Sequence, residues 1–369
     1  MSTIGFLKED YNWRRNITRH NHAGFSFRKV HCASTLAHRA LRKLGRNSKF
    51  LENTLIPPAA PSVDSLHVWR TVCYGSRPWI VSTSVGLPFG WKRESYRRAL
   101  ELLASGACRR ILVNSQYAKE WQRRKAEMSP RHADAVMSKT EVLPTPQDLV
   151  VERWSDKGLP ADQIVLTLVG HHFFRKGGAE TVRVVDRLIR EGAPLQLNIV
   201  SRLGLDPHSG ATERDVARSR EIIDSQPGIT LHNELQNHEV LALFRKSHIG
   251  LLPSYVETYG YTVLEAQSAG CPVITTDVFA FPETNPDDAG WKIALNTEKY
   301  DCSTAGGRAQ VSEQIELQLE TVMRRILQAP DEIEAKGIRA IDRIRAHHCP
   351  RAHARRLREI YAGTRRGEA

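Results

Sequence analysis

Glu257 and Glu265 stand eight residues apart in the stretch 251–283, LLPSYVETYGYTVLEAQSAGCPVITTDVFAFPE, with Gly260 between them. The apolar run 249–252 ends at Pro253 and Ser254. A helix is then predicted over 261–269, with Val263, Leu264, Ala266 and Ala269 as its apolar positions. Gly270 fits the left-handed C-terminal cap and Pro272 forbids continuation. Residues 273–276, VITT, suit a buried parallel strand. The chemistry open to this order is the binding of anions and hydroxyls. The first N–H groups of a helix have no internal partners and lie at the positive end of its dipole, so those of Tyr261, Thr262 and Val263 are able to hold a phosphate. Glu265, one turn in, can accept from a hydroxyl, and Glu257, still in the loop, can reach a second group of hydroxyls. The same order also describes a plain βαβ unit whose glutamates favour the helix dipole by about 0.3 to 1 kcal/mol.

Residues 170–178, GHHFFRKGG, form a second constellation, set between the apolar run 164–169 and a helical segment at 179–190. Open α/β sheets bind ligands at such turns, outside the carboxyl ends of their strands. Arg175 and Lys176 fall at the N-terminus of the helix, the unfavourable end for cations. Paired cations there fit an anion held between them and the helix; a solvated loop is the competing reading. His171 and His172 lack metal-ligand spacing. His347, His348, Cys349 and His353 cluster loosely in an arginine-rich segment that reads as a solvated helix, and Asp287-Asp288 reads as a surface turn. There is no P-loop, no H-E-x-x-H, no G-x-S-x-G and no G-x-G-x-x-G after the first strand. No metal site is expected.

The elements that must hold these residues alternate. In the first half, strands are predicted at 66–69, 79–84 and 111–113, with a helix at 34–44 ending at Gly45 and a loop at 57–61. A further helix carries Leu100, Leu103 and Ala107 with Arg93, Arg97 and Arg98. It reads as a core helix with a solvated face rather than one lying on a membrane. Residues 142–146, VLPTP, close a strand, and the polar stretch 151–162 places a domain boundary nearby. The second half starts afresh, with strands at 164–169, 195–200, 229–231, 249–252 and 273–276, helices at 179–190 and 237–244, and a helical region over 310–361 broken at Pro330 and Pro350. Strands alternating with helices predict an α/β fold of doubly wound parallel sheets.

The 369 residues suffice for two domains, and 41% hydrophobic with 25% charged content is ordinary for a globular protein. No leader-like apolar core or membrane-length apolar run is present, so a cytoplasmic protein is expected. Six scattered cysteines (Cys32, Cys73, Cys108, Cys271, Cys302, Cys349) read as reduced thiols. The net charge of +12 is unevenly divided. Residues 1–150 hold 25 Lys and Arg against 11 Asp and Glu, and the remainder holds 28 against 30. A field confined to the first half favours an anionic partner: an acidic lipid surface, a phosphorylated acceptor or nucleic acid.

With both constellations placed, the second half resembles family four of the retaining nucleotide-sugar glycosyltransferases. The family's E-x-[FY]-G-x-x-x-x-E-A element is matched by Glu257, Tyr259, Gly260, Glu265 and Ala266. Gly270, Pro272 and Val273 extend the match, as do Pro253-Ser254 and Pro282-Glu283. Upstream, Gly170 with Lys176-Gly177 resembles the G-R-x-x-x-x-K-G loop. Val113-Asn-Ser115 and Val142-Leu-Pro144 with Asp148 resemble the segments that close the first domain. The resemblance runs from about 111 to 295. It implies the GT-B fold of two facing Rossmann-like domains, here 1–158 joined by 346–369 on the acceptor side and 159–345 on the donor side, with a C-terminal helix returning to the first.

The resemblance further implies a metal-independent, retaining transfer of a sugar from a nucleotide diphosphate sugar to an acceptor hydroxyl, with no cofactor. Lys176 would contact the diphosphate, Glu265 the ribose, and Glu257 with the backbone around Tyr259 and Gly260 the donor sugar. The family's paired arginine is His171 here, so either Arg175 supplies the fixed charge or diphosphate binding depends on histidine protonation. The histidine often found at the end of a first-domain strand falls at Ser84, and a glycine-rich loop near the start is absent. A basic first domain suits a saccharide or glycolipid acceptor bearing phosphate or acidic sugars, and peripheral contact with the inner face of a membrane, as in envelope or exopolysaccharide synthesis; no specific nucleic acid is expected. The competing reading is a non-catalytic basic protein, binding anionic lipid or nucleic acid on a decayed transferase scaffold.

Overall fold

Twelve of the strands described in the computed structural model belong to two all-parallel six-stranded sheets. Residues 2–9, 11–20, 22–56, 63–206, 209–295 and 305–364 are described. The loop expected at 57–61 and Cys302 lie outside them. The first sheet takes β1 (Ser2–Phe6), β2 (Phe25–Lys29), β4 (Ser65–Trp69), β6 (Trp79–Thr83), β7 (Cys108–Val113) and β8 (Thr140–Val142) in the order β2-β1-β4-β6-β7-β8; β3 (Thr54–Leu55) and β5 (Val72–Cys73) form a separate pair. The second sheet takes β9 (Ile164–His172), β10 (Leu195–Arg202), β11 (Ile229–His232), β12 (Ile249–Leu252), β13 (Val273–Thr276) and β14 (Gly290–Ile293) in the order β11-β10-β9-β12-β13-β14. That is the Rossmann order, and it reverses between β9 and β12, where such sheets bind ligands.

The chain divides into two units, Met1–Pro146 with His348–Ala369, and Gln147–His347. The division falls before residue 147 rather than at 158. The reason is physical. The N–H groups of Val150 and Val151 donate to the Ser268 carbonyl, and Lys157, buried at 4% exposure, donates to the carbonyls of Phe244 and Ala269. Trp154 closes over Gly337, where an added Cβ would lie 2.2 Å from the indole. This stretch is bound to the second unit by backbone and side chain together.

The central strands of the second sheet are continuous apolar runs because helices cover both faces. Leu166, Leu168, Leu197, Ile199, Leu251 and Ile274 are buried in one core with Val182, Val185, Phe244, Val263 and Val311. The final helices are Ala305–Gln328, Asp331–His347 and Pro350–Ala362, ending where Pro330 and Pro350 require. The last one belongs to the first unit. Leu357, Ile360 and Tyr361 pack with Ile4, Trp13, Ile17, Ile80 and Leu112, and Tyr361 Oη lies 2.7 Å from His67 Nδ1. The His347–His353 segment is accordingly structural. His348 Nδ1 meets the Thr145 carbonyl at 2.8 Å, and His353 meets the carbonyls of Pro144 and Asn16, both at 2.9 Å.

The helix Tyr96–Ala104 buries Ala99, Leu100, Leu102 and Leu103 and turns its arginines to solvent, so it is a core helix. Among the described residues no helix is long and apolar enough to cross a membrane.

Candidate functional site

Both constellations sit at the carboxyl ends of β9 and β12, on either side of the point where the strand order reverses. β9 runs on through Gly170, His171 and His172, three residues beyond the predicted strand, and is followed by a 3-10 turn, Phe174–Lys176. Gly177 then takes φ +72° and caps the helix Gly178–Arg190. The loop after β12 covers 253–260 and ends at Gly260, with φ +81°, which caps the helix Tyr261–Ser268.

Two glycines are required by close approach. A Cβ on Gly177 would lie 2.3 Å from the Pro253 carbonyl oxygen, so the two loops touch backbone to backbone there. A Cβ on Gly170 would lie 2.6 Å from Lys176 Cγ; its absence lets the lysine fold back across the strand end. Tyr255 N–H donates to the Arg175 carbonyl at 3.1 Å, tying the loops a second time.

Lys176, thus aimed, donates to Glu257 Oε2. The other carboxylate oxygen, Oε1, accepts from the N–H groups of Thr258 at 2.9 Å and Tyr259 at 3.4 Å. Arg175 is also paired: its Nε lies 3.3 Å from Asp206 Oδ2, and His172 Nδ1 is 3.4 Å from the same oxygen. Each of the two cations, read in the sequence as holding an anion against the helix N-terminus, thus has a carboxylate partner of its own. His171 is exposed at the strand end, edge-on to His172 with ring centroids 4.9 Å apart. Burial, and then the neighbouring Arg175, lower the His172 pKa.

The helix Tyr261–Ser268 has no side-chain cap at its N-terminus. Tyr261 and Thr262 are half-buried there, but Val263 is corrected: its N–H is taken by the Gly260 carbonyl at 2.9 Å. Glu265 is 5% exposed and accepts from Asn237 Nδ2 at 3.1 Å, and Tyr259 is buried with its ring 5.5 Å from that of Tyr261.

Behind the loops, Glu180 Oε1 accepts from Tyr255 Oη at 2.9 Å, from Arg183 at 3.2 Å and from Ser312. Burial and then the adjacent Glu180 carboxylate push the Tyr255 phenol far up. This network fastens the loop after β12 to two helices. Asp206, Asn237, Glu180 and Tyr255 are the residues that sequence reasoning missed. Tyr255 lies within the 251–283 stretch at a position its motif leaves open and the others lie outside the motifs; only an acidic residue facing a motif cation, such as Asp206, carries a signal to search for.

In the first unit, a cavity of about 130 Å³ lies at the carboxyl ends of β1 and β4, lined by Lys8, Trp13, Lys49, Trp69, Arg70 and Phe89 among others. Arg70 takes φ +53°, and its guanidinium stands 3.6 Å over the Phe89 ring. Lys8 and Lys49 both pair with Glu52, at 3.4 and 3.0 Å. Ser84 is half-buried just beyond β6 and does not line this cavity. Asp287 pairs with Lys292 at 3.0 Å. Among the described residues no group of three His, Cys, Asp or Glu is placed to hold a metal ion.

Residues 152–299 match the family model described as Glycosyl transferases group 1. That match lies within the second unit, and the fold over both units is GT-B. The chain is 22% identical over 199 residues to a D-inositol 3-phosphate glycosyltransferase of Corynebacterium kroppenstedtii, covering 53% of this chain and 44% of that one. It is 34% identical over 140 residues to the Stackebrandtia nassauensis protein of the same name, covering 36% and 30%. It is also 26% identical over 154 residues, 41% and 32%, to the phosphatidylinositol N-acetylglucosaminyltransferase gpi3 subunit of Schizosaccharomyces pombe. The matches span less than half the length of these relatives. Among solved structures, a sucrose-phosphate synthase from Thermosynechococcus elongatus superimposes with TM-score 0.63 at 16% identity, over 98% of this chain and 99% of that one. Anabaena Alr3699/HepE in complex with UDP and glucose gives 0.63 at 11%, over 98% and 100%.

Proposed function

We propose that this protein is a retaining glycosyltransferase that moves a sugar from a nucleoside diphosphate sugar to an acceptor hydroxyl without a metal ion. The observation that carries the reading is the Lys176–Glu257 pair facing the uncapped helix N-terminus at Gly260–Tyr261, in a unit that the group 1 family model matches. On this reading Lys176 exchanges Glu257 for the donor diphosphate and, with the helix N-terminus, stabilises the charge that develops on the leaving group. Glu257, released, accepts from hydroxyls of the donor sugar and positions it for attack on the face from which the diphosphate departs. Glu265, held by Asn237, accepts from the ribose. Arg175, already neutralised by Asp206, shapes the loop more than it binds the anion.

The acceptor side belongs to the basic first unit, and the cavity bearing Arg70, Lys8 and Lys49 suits an anionic acceptor of saccharide or glycolipid type. All three of these relatives carry phosphorylated inositol in their names, and envelope or exopolysaccharide synthesis supplies acceptors of this chemistry. The solved neighbour complex holds UDP, which makes uridine the first base to try. The test is a thermal-unfolding panel of UDP, GDP and their sugars. A true donor nucleotide stabilises the fold by about 2.7 kcal/mol at a hundredfold excess over its Kd. Failure of every nucleotide to shift unfolding overturns the reading, and loss of activity in EDTA overturns its metal-free part.

A further inference from the structure

The helix Ala33–Lys43 of the first unit is amphipathic in an unusual sense, because its apolar face points outward. Positions 33, 36, 37, 40 and 44 share one side of a helical wheel. They are Ala33, Leu36, Ala37, Ala40 and Leu44, and all are exposed, Leu36 at 58% and Leu44 at 74%. The side turned to the protein mixes half-buried Leu41 and His38 with two hydroxyls. Ser34, 1% exposed, donates to the Thr54 carbonyl and accepts from Ile56 N–H at 3.3 Å, and Thr35 bonds the Cys32 carbonyl at 2.7 Å. Solvent-facing surface helices of globular proteins normally show the reverse. Tyr96–Ala104 in the same unit does: its leucines are buried and its arginines are out.

Along the chain the charges of this segment have one sign, with Lys49 at its end paired to Glu52. Between Asp10 and Glu52 the chain has ten Lys and Arg and no Asp or Glu. Arg39 and Lys43 lie beside Leu36 on one side of the wheel, and Arg28, Lys29, Arg42, Arg46 and Lys49 are exposed on the same segment. We propose that this face docks the first unit on an anionic lipid bilayer, with Leu36, Ala40 and Leu44 entering the headgroup–acyl boundary while the cations meet lipid phosphates and carboxylates. Hydrocarbon flanked by point charges, with the hydroxyls of the helix turned inward, matches the interfacial mode of membrane binding. A second copy of the chain is a poor occupant, because pairing the face with itself brings like charges together. The proposal specifies the surface behind the anionic partner read for the first unit. It needs neither nucleotide nor turnover, so its failure and that of the transferase reading are separable.

The experiment is sedimentation of the full-length protein with phosphatidylcholine vesicles, with and without phosphatidylserine or phosphatidylglycerol. Binding is expected only to the anionic vesicles and weakens with salt. Leu36→Glu with Leu44→Glu should abolish it. Arg39→Gln with Lys43→Gln should weaken it by about fivefold per cation. Arg97→Gln with Arg98→Gln, an equal loss of charge elsewhere, should leave it unchanged. All these side chains are exposed, and circular dichroism with thermal melting checks that each variant folds. Absence of binding to anionic vesicles overturns the proposal, as does binding that survives the leucine changes or falls equally with the Arg97/Arg98 control. A lipid-free shift from dimer to monomer in the leucine variant would assign the face to self-association instead.

Discussion

The ammonium of Lys176 is bound by the carboxylate of Glu257 across the two loops that follow β9 and β12. Both groups are largely shielded, at 14% and 19% side-chain exposure, so neither is left as a bare charge before a ligand arrives. A diphosphate that takes the lysine also releases the glutamate. The two events are coupled, and substitutions separate them. Lys176→Met should remove most of the nucleotide-induced stabilisation, by about 1.5–3 kcal/mol, the worth of a hydrogen bond to a charged group. Glu257→Gln should keep the nucleotide response and lose about 100-fold in kcat, the scale of one transition-state contact. Titration calorimetry and initial rates on the same preparations check both; equal loss of binding in the two variants contradicts the exchange.

Arg175 gives the contrasting case. Its partner Asp206 is 4% exposed in its side chain and already neutralises it. Arg175→Gln should therefore weaken nucleotide binding less than Lys176→Gln. A larger loss in Arg175→Gln would mean that the arginine leaves Asp206 for the ligand.

Gly177 reports on the loop contact. Its φ of +72° and the 2.3 Å approach of an added Cβ to the Pro253 carbonyl leave no room for alanine. Gly177→Ala should cost about 1–3 kcal/mol of stability, the range for a strained backbone position, and should depress the nucleotide response as the loops part. Urea unfolding with and without nucleotide measures the two effects together.

Acid should weaken the fold through buried histidines. Burial lowers His67 to about 3 and His353 to about 4 from an ordinary 6.5. The unfolded chain then takes up protons first as pH falls, so the contribution of these two residues is complete above pH 6.5 and is lost on the way to about 4 and 3. The effect is on the order of 3 kcal/mol per histidine. Urea midpoints between pH 7 and 5 should fall, ahead of most carboxylate titration, and His353→Gln should flatten the slope; an unchanged slope would place the proton uptake elsewhere.

The second unit was the more legible one. Its central strands are continuous apolar runs, its loops carry glycines that backbone geometry demands, and its helix ends coincide with Pro330 and Pro350. In the first unit β4, β6, β7 and the helix Ala33–Lys43 were legible too, but β1 and β2 were not, because β1 is short and β2, at the sheet edge, mixes Phe25 and Phe27 with exposed Arg28 and Lys29 in no clean alternation. The helix Glu213–Ser225 went unread for want of a strong apolar stripe; only Ser219 and Ile223 are buried. In the candidate site, residue types and spacing singled out Lys176, Glu257 and Glu265, and the fold places all three after β9 and β12. Types and spacing did not identify partners, since Asp206 and Asn237 reach the site only through the fold. Nor can periodicity tell which face of Ala33–Lys43 is inward, because a wheel gives amphipathicity without direction.

Lys157 lies at the other end of the helix that opens on the site. It donates to the Ala269 carbonyl just past that helix, and to Phe244 and Cys271 beside it. Eight residues at 1.5 Å each separate the two ends by only about 12 Å. Across so short a rod, the negative pole would subtract much of the potential that the positive pole offers a ligand. A buried ammonium on the negative pole cancels the subtraction. An anion at Gly260–Tyr261 therefore meets something closer to a monopole than to a dipole, and a residue of the stretch between the units, outside the motifs in sequence, sets the field in which they operate.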